Sequence, residues 1–395
     1  MQLIAKGPDI PIGALHAQED GQLVFFCGAG VSIPCGLPSF EDLVGATRER
    51  LGAIFTPQEE REFKAKAFDR VLGLLEGRFG SKVRWIVVDL LKTTESANLD
   101  LHRALLTLGR RASGSRQLVT TNFDNLFETA DPEFPVIDAP GLPIPKPGKW
   151  DALVHLHGRI VPSDPDARRL VLTAADFAVA YLVERWAARF VSELFQQYDV
   201  LFVGYSASDP VMRYLVDAIA VERQADRRLH KAYAFAECQQ GREEEVTAEW
   251  RARGIDPILY DPVDGHAALR ETLTTWARKF NGGLLAKNAL VSELGAKEPV
   301  ALPREEREQF CWAVGDASGA PARRLAEMGT QAQFEWVRVL QEFGVLPRQP
   351  NVHDVRRGLA NRAAPYLPPD AVTLNLATWV AQHAGTVECL EWMGP

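Results

Sequence analysis

The feature that most constrains the fold is a series of short apolar segments, separated by longer helical patterns, that continues to about residue 280. Several of these segments are almost continuously apolar, as expected for parallel strands that are covered on both faces. The six segments are QLVFFC (22–27), RQLVTT (116–121), ALVHL (152–156), YDVLFVGY (198–205), KAYAFA (231–236) and DPILY (256–260). Helical patterns occupy 59–79, 176–198 and 266–280. This alternation predicts an α/β fold with a doubly wound, mostly parallel, Rossmann-like sheet.

Composition is that of a globular protein. The 395 residues are 46% hydrophobic and 24% charged, enough to bury a core. The formal charge is −8 with both signs interspersed, which argues against an extended basic surface for nucleic acid or for anionic membranes. No apolar run has the length of a signal-peptide core or of a membrane span. The sequence therefore predicts a cytoplasmic protein.

The cysteines bear on metal binding and on redox state. Five cysteines stand at 27, 35, 238, 311 and 389, and none forms a C-x-x-C pair. An odd and widely spaced set in a chain of this size is typical neither of a disulfide framework nor of a four-cysteine zinc ribbon. We therefore expect reduced thiols and no structural zinc.

The pattern changes after Phe280, where NGGLLAKN resembles a hinge and the remaining chain predicts helices broken by Pro and Gly. We therefore expect a first domain over 1–281 and a small helical C-terminal domain over 282–395. Within TQAQFEWVRVLQEFGVLP (330–347), apolar residues recur at a three-residue spacing and form a wide apolar face. That face has two interpretations, packing on the α/β body or an oligomerisation or partner surface.

Polar residues follow the predicted strands where a parallel sheet binds its ligands, at the carboxyl ends. The first strand leads into CGAGVSIPCGLPSF, where Gly28 and Gly30 allow backbone amides to approach a phosphate and Ser32 adds a hydroxyl. An ordinary tight turn is the alternative, since G-A-G-x-S is not the G-x-G-x-x-G fingerprint. The second strand ends in TTNFDN, where Asn122 is a neutral amide at the pocket mouth. Asp124 lies beside it, with helix capping as its alternative role.

Two further strand ends contain candidate ligand-binding or catalytic residues. In GYSASDP (204–210), Gly204 permits close backbone approach and Ser206 offers a hydroxyl, while Asp209 suits a helix cap or the ligand site. In HLHG (155–158), strand alternation puts His155 and His157 on one face, with His157 at the strand end. These histidines could be catalytic, structural or a metal pair, but a metal pair needs further ligands. Four small, polar strand ends in one crevice predict a dinucleotide site that contains a histidine.

The four stretches, in this order, resemble the sirtuin catalytic core over about residues 20–280. GAGVSIPCGLPSF is similar to the family's phosphate loop, TTNFD to its Thr-Gln-Asn-Ile-Asp segment, HLHG to its catalytic His-Gly and GYSASD to its later Gly-x-Ser strand end. The resemblance implies NAD binding and catalysis by Asn122 and His157. It implies these residues for contact with NAD: Gly28, Ala29, Gly30 and Ser32 on the diphosphate, Asp124 with Asn122 at the nicotinamide ribose, and Gly204 and Ser206 on the adenosine side. Asp209 is a further candidate for contact with NAD.

The chain also departs from sirtuin deacylases. The family's four-cysteine zinc module has no counterpart after His157, and Ser39-Phe40-Glu41 replaces its Asp-Phe-Arg. This trimmed pattern resembles the sirtuin-like NAD-hydrolysing domains of bacterial anti-phage defence systems. The resemblance implies an NAD+ glycohydrolase that depletes cellular NAD in abortive infection, with NAD as substrate and without zinc. It also implies a homo-oligomer or a protein partner, a HerA-type ATPase in first place or a short Argonaute. An NAD-dependent protein deacylase and a non-catalytic NAD or ADP-ribose sensor are the alternatives.

Overall fold

The computed structural model describes residues 1–92, 97–111, 113–161, 167–207, 211–212, 214–215, 230–346 and 370–393. The chain divides into two compact units. One is Gly7–Ala277, and the other combines Met1–Lys6 with Arg278–Pro395.

The first unit is built on a seven-stranded, wholly parallel sheet with the strand order β3-β4-β2-β1-β5-β6-β7. The six predicted strands are all present, and the predicted doubly wound α/β class is confirmed. The sequence did not predict β3, because its three residues are only half-buried and form no apolar run. The strands are β1 (Leu23–Cys27), β2 (Gln117–Thr120), β3 (Val136–Asp138), β4 (Ala152–His155), β5 (Asp199–Val203), β6 (Ala232–Glu237) and β7 (Asp256–Tyr260).

Both faces of the sheet are covered, which explains why the central strands are apolar at consecutive positions. Phe25 packs edge-on against Trp276 on one face, with the ring centroids 5.5 Å apart. The alternate residues Val24 and Phe26 contribute to a core on the other face. That core also contains residues of β2, β4, β5 and of a later helix, among them Val119, Val154, Phe202, Phe190 and Leu194.

The helices of this unit follow the predicted alternation with strands. Two 3-10 turns, Ala29–Val31 and Ile33–Cys35, follow β1 directly. The helices are α1 (Ile12–Glu19), α2 (Phe40–Leu51), α3 (Pro57–Lys64), α4 (Phe68–Phe79), α5 (Lys82–Leu90), α6 (Asp100–Leu108), α7 (Leu126–Ala130), α8 (Ala174–Ala178), α9 (Trp186–Gln197), α10 (Glu243–Ala252) and α11 (Val263–Thr275).

The three long predicted helices are each interrupted. The 59–79 pattern is two helices, because Lys66 has a φ of +55° and ends α3. The 176–198 pattern is α8, a π-helical turn over Val179–Val183 and α9, with Arg185 at a φ of +60° before α9. The 266–280 pattern starts at His266, which has a φ of +64°, continues as α11 to Thr275 and ends in a π-helical turn, Trp276–Phe280. Hydrophobic periodicity continues through these breaks, so the sequence pattern does not reveal them.

The second unit is helical, as the sequence predicts for the C-terminal region. The buried Lys287 ammonium lies 2.6 Å from an Asp316 oxygen and 4.4 Å from the centre of the Trp312 ring. The helices of the second unit are α12 (Gly283–Gly295), α13 (Arg304–Val314), α14 (Ala320–Met328), α15 (Trp336–Glu342), α16 (Ala371–Gln382) and α17 (Val387–Met393).

The apolar face predicted around 334–343 is largely buried inside this helical unit. Phe334, Trp336, Val337, Val339 and Leu340 are all buried. Trp336 stacks on a phenylalanine of α13, with the ring centroids 3.8 Å apart. Packing within the helical unit therefore accounts for this face.

Within the described ranges, no helix is both long and apolar enough to cross a membrane.

Candidate active site

A cavity of about 620 Å³, its open mouth included, lies at the carboxyl edge of the sheet. Five of the residues that the sequence analysis singled out line it, from the loops after β1, β2 and β4: Ala29, Ser32, Asn122, Asp124 and His157. The rest of the wall is almost entirely apolar and includes Leu37, Phe40, Leu43, Leu91, Phe123, Val171, Phe177 and Val211. The strand order reverses beside this edge, between β1 and β5, which is where doubly wound sheets bind ligands.

Hydrogen bonds hold Asn122 in one orientation. Its side-chain nitrogen donates to the Gly28 carbonyl oxygen at 3.1 Å and to the Ser32 hydroxyl at 3.0 Å. A carbonyl oxygen can only accept, so the atom that faces Gly28 must be Nδ2. Both amide hydrogens are therefore used, and among the described residues no group hydrogen bonds to Oδ1. Asn122 thus donates into the protein and leaves its oxygen as an acceptor for a ligand in the cavity.

Ser32 connects this asparagine to a buried imidazole. The Ser32 oxygen lies 3.5 Å from Nε2 of His102, whose Nδ1 lies 3.9 Å from the Cys35 sulfur. His102 is buried between α6 and α7, and burial lowers its pKa to about 4. The sequence alone does not indicate His102, because this residue lies within the apolar pattern of a helix with no motif around it.

Asp124 has both roles that its position in the sequence allowed. It lines the cavity, and its Oδ1 accepts a hydrogen bond from the Leu126 amide at the start of α7, at 3.1 Å. Burial raises the pKa of its carboxyl group. The Asn125 side chain instead donates to the Ile160 carbonyl and makes no helix cap.

His157 is buried in an aromatic environment. Its Nε2 lies 2.9 Å from the Tyr181 hydroxyl, and Phe177 packs edge-on against its ring at 5.1 Å. Burial lowers the pKa of His157 to about 3, so the imidazole is neutral at pH 7. Tyr181 reaches it from the π-helical turn after α8, a feature that is frequent at functional sites. A capping box of Thr173 and Asp176 starts α8 and fixes that approach.

The two histidines of HLHG are separated rather than aligned. The predicted strand extends to Leu156, but β4 ends at His155 and His157 belongs to the following turn. The His155 ring lies between the Asn122 carbonyl oxygen, 3.0 Å from Nδ1, and a Glu128 carboxylate oxygen, 3.2 Å from Nε2. His157 therefore lies beyond the strand, and the two rings have different neighbours.

The glycines after β1 and β5 pack against each other. The amides of Gly28 and Gly30 donate to the carbonyls of Val203 and Gly204, at 2.9 and 3.0 Å. A Cβ on Gly30 would lie 2.8 Å from the Gly204 Cα, and one on Gly28 would lie 2.7 Å from the Tyr205 ring. The visible reason for these glycines is thus the contact between two loops, and their phosphate contacts remain a prediction.

The remaining predicted residues lie around this junction. Gly204 follows β5 directly, with a φ of +77°, and Ser206 is exposed two residues later. Asp209 lies outside the described residues. Within the described part of the chain, no group of three or more His, Cys, Asp or Glu side chains is placed to hold a metal ion.

The two neutral histidines predict acid sensitivity. Because the pKa values of His157 and His102 are lowered to about 3 and 4, only the unfolded chain takes up these protons between pH 5 and 6.5. Linkage then makes the free energy of unfolding fall with decreasing pH, by about 1.4 kcal/mol per pH unit for each histidine once pH is well below 6.5. Urea unfolding of the protein at a series of pH values from 8 to 5 gives the free energy of unfolding of the first unit, and its dependence on pH gives this slope. His157→Gln should lose about half of it, and an unchanged slope would contradict the assignment.

Part of this chain matches a known protein family. Residues 116–258 match the family model of the SIR2-like domain. A curated relative, the uncharacterized protein y4cA of Sinorhizobium fredii (strain NBRC 101917 / NGR234), is 36% identical over 278 residues. The match covers 67% of this chain and 23% of that protein, so the chain spans less than a quarter of the relative's length.

A solved structure is also similar. It is a crystal structure of a complex of a Sir2 homologue with NAD, at a TM-score of 0.39 and 18% identity, and the match covers 71% of this chain and 98% of that one. The match of residues 116–258 to the SIR2-like domain agrees with the resemblance seen in the motifs.

Proposed function

We propose that this chain is an NAD+ glycohydrolase that cleaves the bond between nicotinamide and ribose. The observation that carries the proposal is a cavity lined by a neutral histidine, His157, and by Asn122, whose Oδ1 accepts no hydrogen bond from a described residue, in a chain whose residues 116–258 match the SIR2-like domain. A neutral imidazole can accept a proton, and an amide oxygen can orient a hydroxyl or a water. Those are the two functions that a hydrolytic attack at the ribose requires.

The proposed reaction consumes one water. The C1′–N1 bond breaks, its electron pair leaves with nicotinamide, and the ribose develops oxocarbenium character. Asn122 Oδ1 accepts a hydrogen bond from the attacking water or a ribose hydroxyl, and His157 takes the proton as the new C1′–O bond forms. Because Nε2 of His157 is already held by Tyr181, we assign the proton transfer to Nδ1. The products are nicotinamide, ADP-ribose and a proton.

The remainder of NAD is proposed to lie along the junction of the β1 and β5 loops. Gly28, Ala29, Gly30 and Ser32 are assigned to the diphosphate, and Asp124 to the nicotinamide ribose together with Asn122. Ala29 and Ser32 line the cavity, and the glycines allow the two loops to approach each other. On the other side of the junction, Gly204, Ser206 and Asp209 are assigned to the adenosine.

We further propose that NAD depletion by residues 1–281 is the effector step of an anti-phage system, and that 282–395 assembles the protein. A homo-oligomer with a HerA-type ATPase is favoured, and a short Argonaute is the other candidate partner. The face around 334–343 is largely buried, so the exposed apolar residues of the last two helices suit this role better. They are Leu374 on α16 and Val387, Leu390 and Met393 on α17.

The test is nicotinamide release from NAD+ without any acylated peptide, measured by chromatography with and without the candidate ATPase. Nicotinamide with an equal amount of ADP-ribose is the expected result. Release only when an acyl-lysine peptide is added would identify a deacylase. NAD binding without release, even with the partner present, would identify a sensor.

A further inference from the structure

A row of ionisable side chains lies next to the Asn122 main chain, where the ends of β3 and β4 meet α7. The row consists of His155, Glu128, Arg159 and Asp138. The Glu128 carboxylate is 3.2 Å from Nε2 of His155 and 3.6 Å from the Arg159 guanidinium. Arg159 in turn lies 3.7 Å from Asp138 at the end of β3. The row therefore contains two carboxylates and, with His155, two candidate cations. None of these groups belongs to the proposed chemistry.

The two ring nitrogens of His155 have different neighbours. Nδ1 lies 3.0 Å from the Asn122 carbonyl oxygen, which can only accept, so Nδ1 must carry a hydrogen. Nε2 lies 3.2 Å from the Glu128 carboxylate, within ion-pair distance but without the alignment of a hydrogen bond. A second ring hydrogen, on Nε2, would make this contact attractive, and His155 is fully buried beside it.

The surroundings of Glu128 favour its ionised, negatively charged form. Neither of its carboxylate oxygens makes an aligned hydrogen bond with any described residue, so neighbouring cations must stabilise it. Burial alone would raise the pKa of its carboxyl group, but His155 and Arg159 outweigh that effect and the pKa is lowered. With His155 charged, the two carboxylates and two cations of the row sum to zero, and its outer members Arg159 and Asp138 are partly exposed.

We propose that Glu128 is a positioning residue for the reaction, because it keeps His155 charged and the charged ring anchors the Asn122 carbonyl. The kinetic part of this proposal rests on the proposed hydrolase function. Asn122 is then held at both ends, its main chain by His155 and its amide nitrogen by Gly28 and Ser32. Oδ1, which accepts no hydrogen bond from a described residue, is thereby placed before substrate arrives.

The charge state can be tested without turnover. In 15N-histidine NMR spectra of the full chain at pH 7, the His155 ring should show two protonated nitrogens and the His157 ring one. The variant His155→Gln assigns the signal. Glu128→Gln should convert His155 to a neutral ring that keeps its proton on Nδ1, because a glutamine amide can donate to Nε2. A neutral His155 in the unmodified protein would overturn the proposal.

The kinetic test separates positioning from folding. Glu128→Gln should lower kcat by about 10²-fold and leave KM within about threefold, because the base and the diphosphate loop are untouched. The matched control is Asp151→Asn, which removes an ion-paired carboxylate at the opposite end of β4 and should leave kcat unchanged. Full kcat in Glu128→Gln would overturn the positioning role. If the unmodified protein with its partner released no nicotinamide, the proposed hydrolase would fail, while the NMR result on His155 would stand by itself.

Discussion

Replacing His157 with alanine is expected to lower the rate of nicotinamide release by about 10²–10⁴-fold, the range for loss of a general base. Binding of NAD should change much less, since the proposed diphosphate contacts lie on the β1 loop. The physical reason is that His157 is the neutral imidazole on the cavity wall, while His155 has both nitrogens in contact with protein groups. Chromatography measures the rate, and calorimetric titration with NAD+ measures the affinity.

Three variants make this result specific. His230→Ala is the matched control, because His230 is a half-exposed histidine paired with Asp199 at the amino end of β5, and its loss should leave the rate unchanged. His155→Ala should have a smaller effect than His157→Ala, because His155 acts only through Asn122. Asn122→Ala should match the loss in His157→Ala. Near-normal turnover in His157→Ala, with circular dichroism unchanged, would refute its assignment as the base.

The sheet was predictable because burial on both faces makes its strands apolar at nearly every position. β1 and β5 are the clearest cases, since each forms a continuous apolar run in the sequence. β3 escaped prediction because it is a half-buried edge strand of only three residues. The breaks in the long helices were not predicted either, since Lys66 and Arg185 adopt a positive φ and no glycine at these positions indicates it.

The candidate site was predictable only where it comes from strand ends. Parallel strands bring their carboxyl ends to one edge, so Ser32, Asn122 and His157 could be grouped before any geometry was known. Tyr181 and Glu128 could not, because each reaches its histidine from a helix whose orientation depends on tertiary packing. The glycines were selected for backbone approach, but the structure shows that the two loops approach each other.

That loop junction gives the second large expected effect. Gly204→Ala should lower the free energy of unfolding of the first unit by about 2–5 kcal/mol, combining a left-handed backbone with a steric clash. At Gly204 the φ is +77°, and an added Cβ would lie 2.7 Å from the Val31 nitrogen and 3.0 Å from the Gly30 carbonyl carbon. Backbone atoms cannot rotate away, so the β1 loop must move, and NAD affinity should fall with stability.

Gly36→Ala is the matched control for this substitution. Gly36 also has a left-handed backbone, with a φ of +88°, but an added Cβ would meet no atom within 4 Å. It should therefore lose only the conformational part, about 1–2 kcal/mol, and retain NAD affinity. Urea unfolding followed by circular dichroism measures both variants. Equal losses in the two would show that the loops can separate at little cost, and that contact between the β1 and β5 loops does not hold the proposed NAD site together.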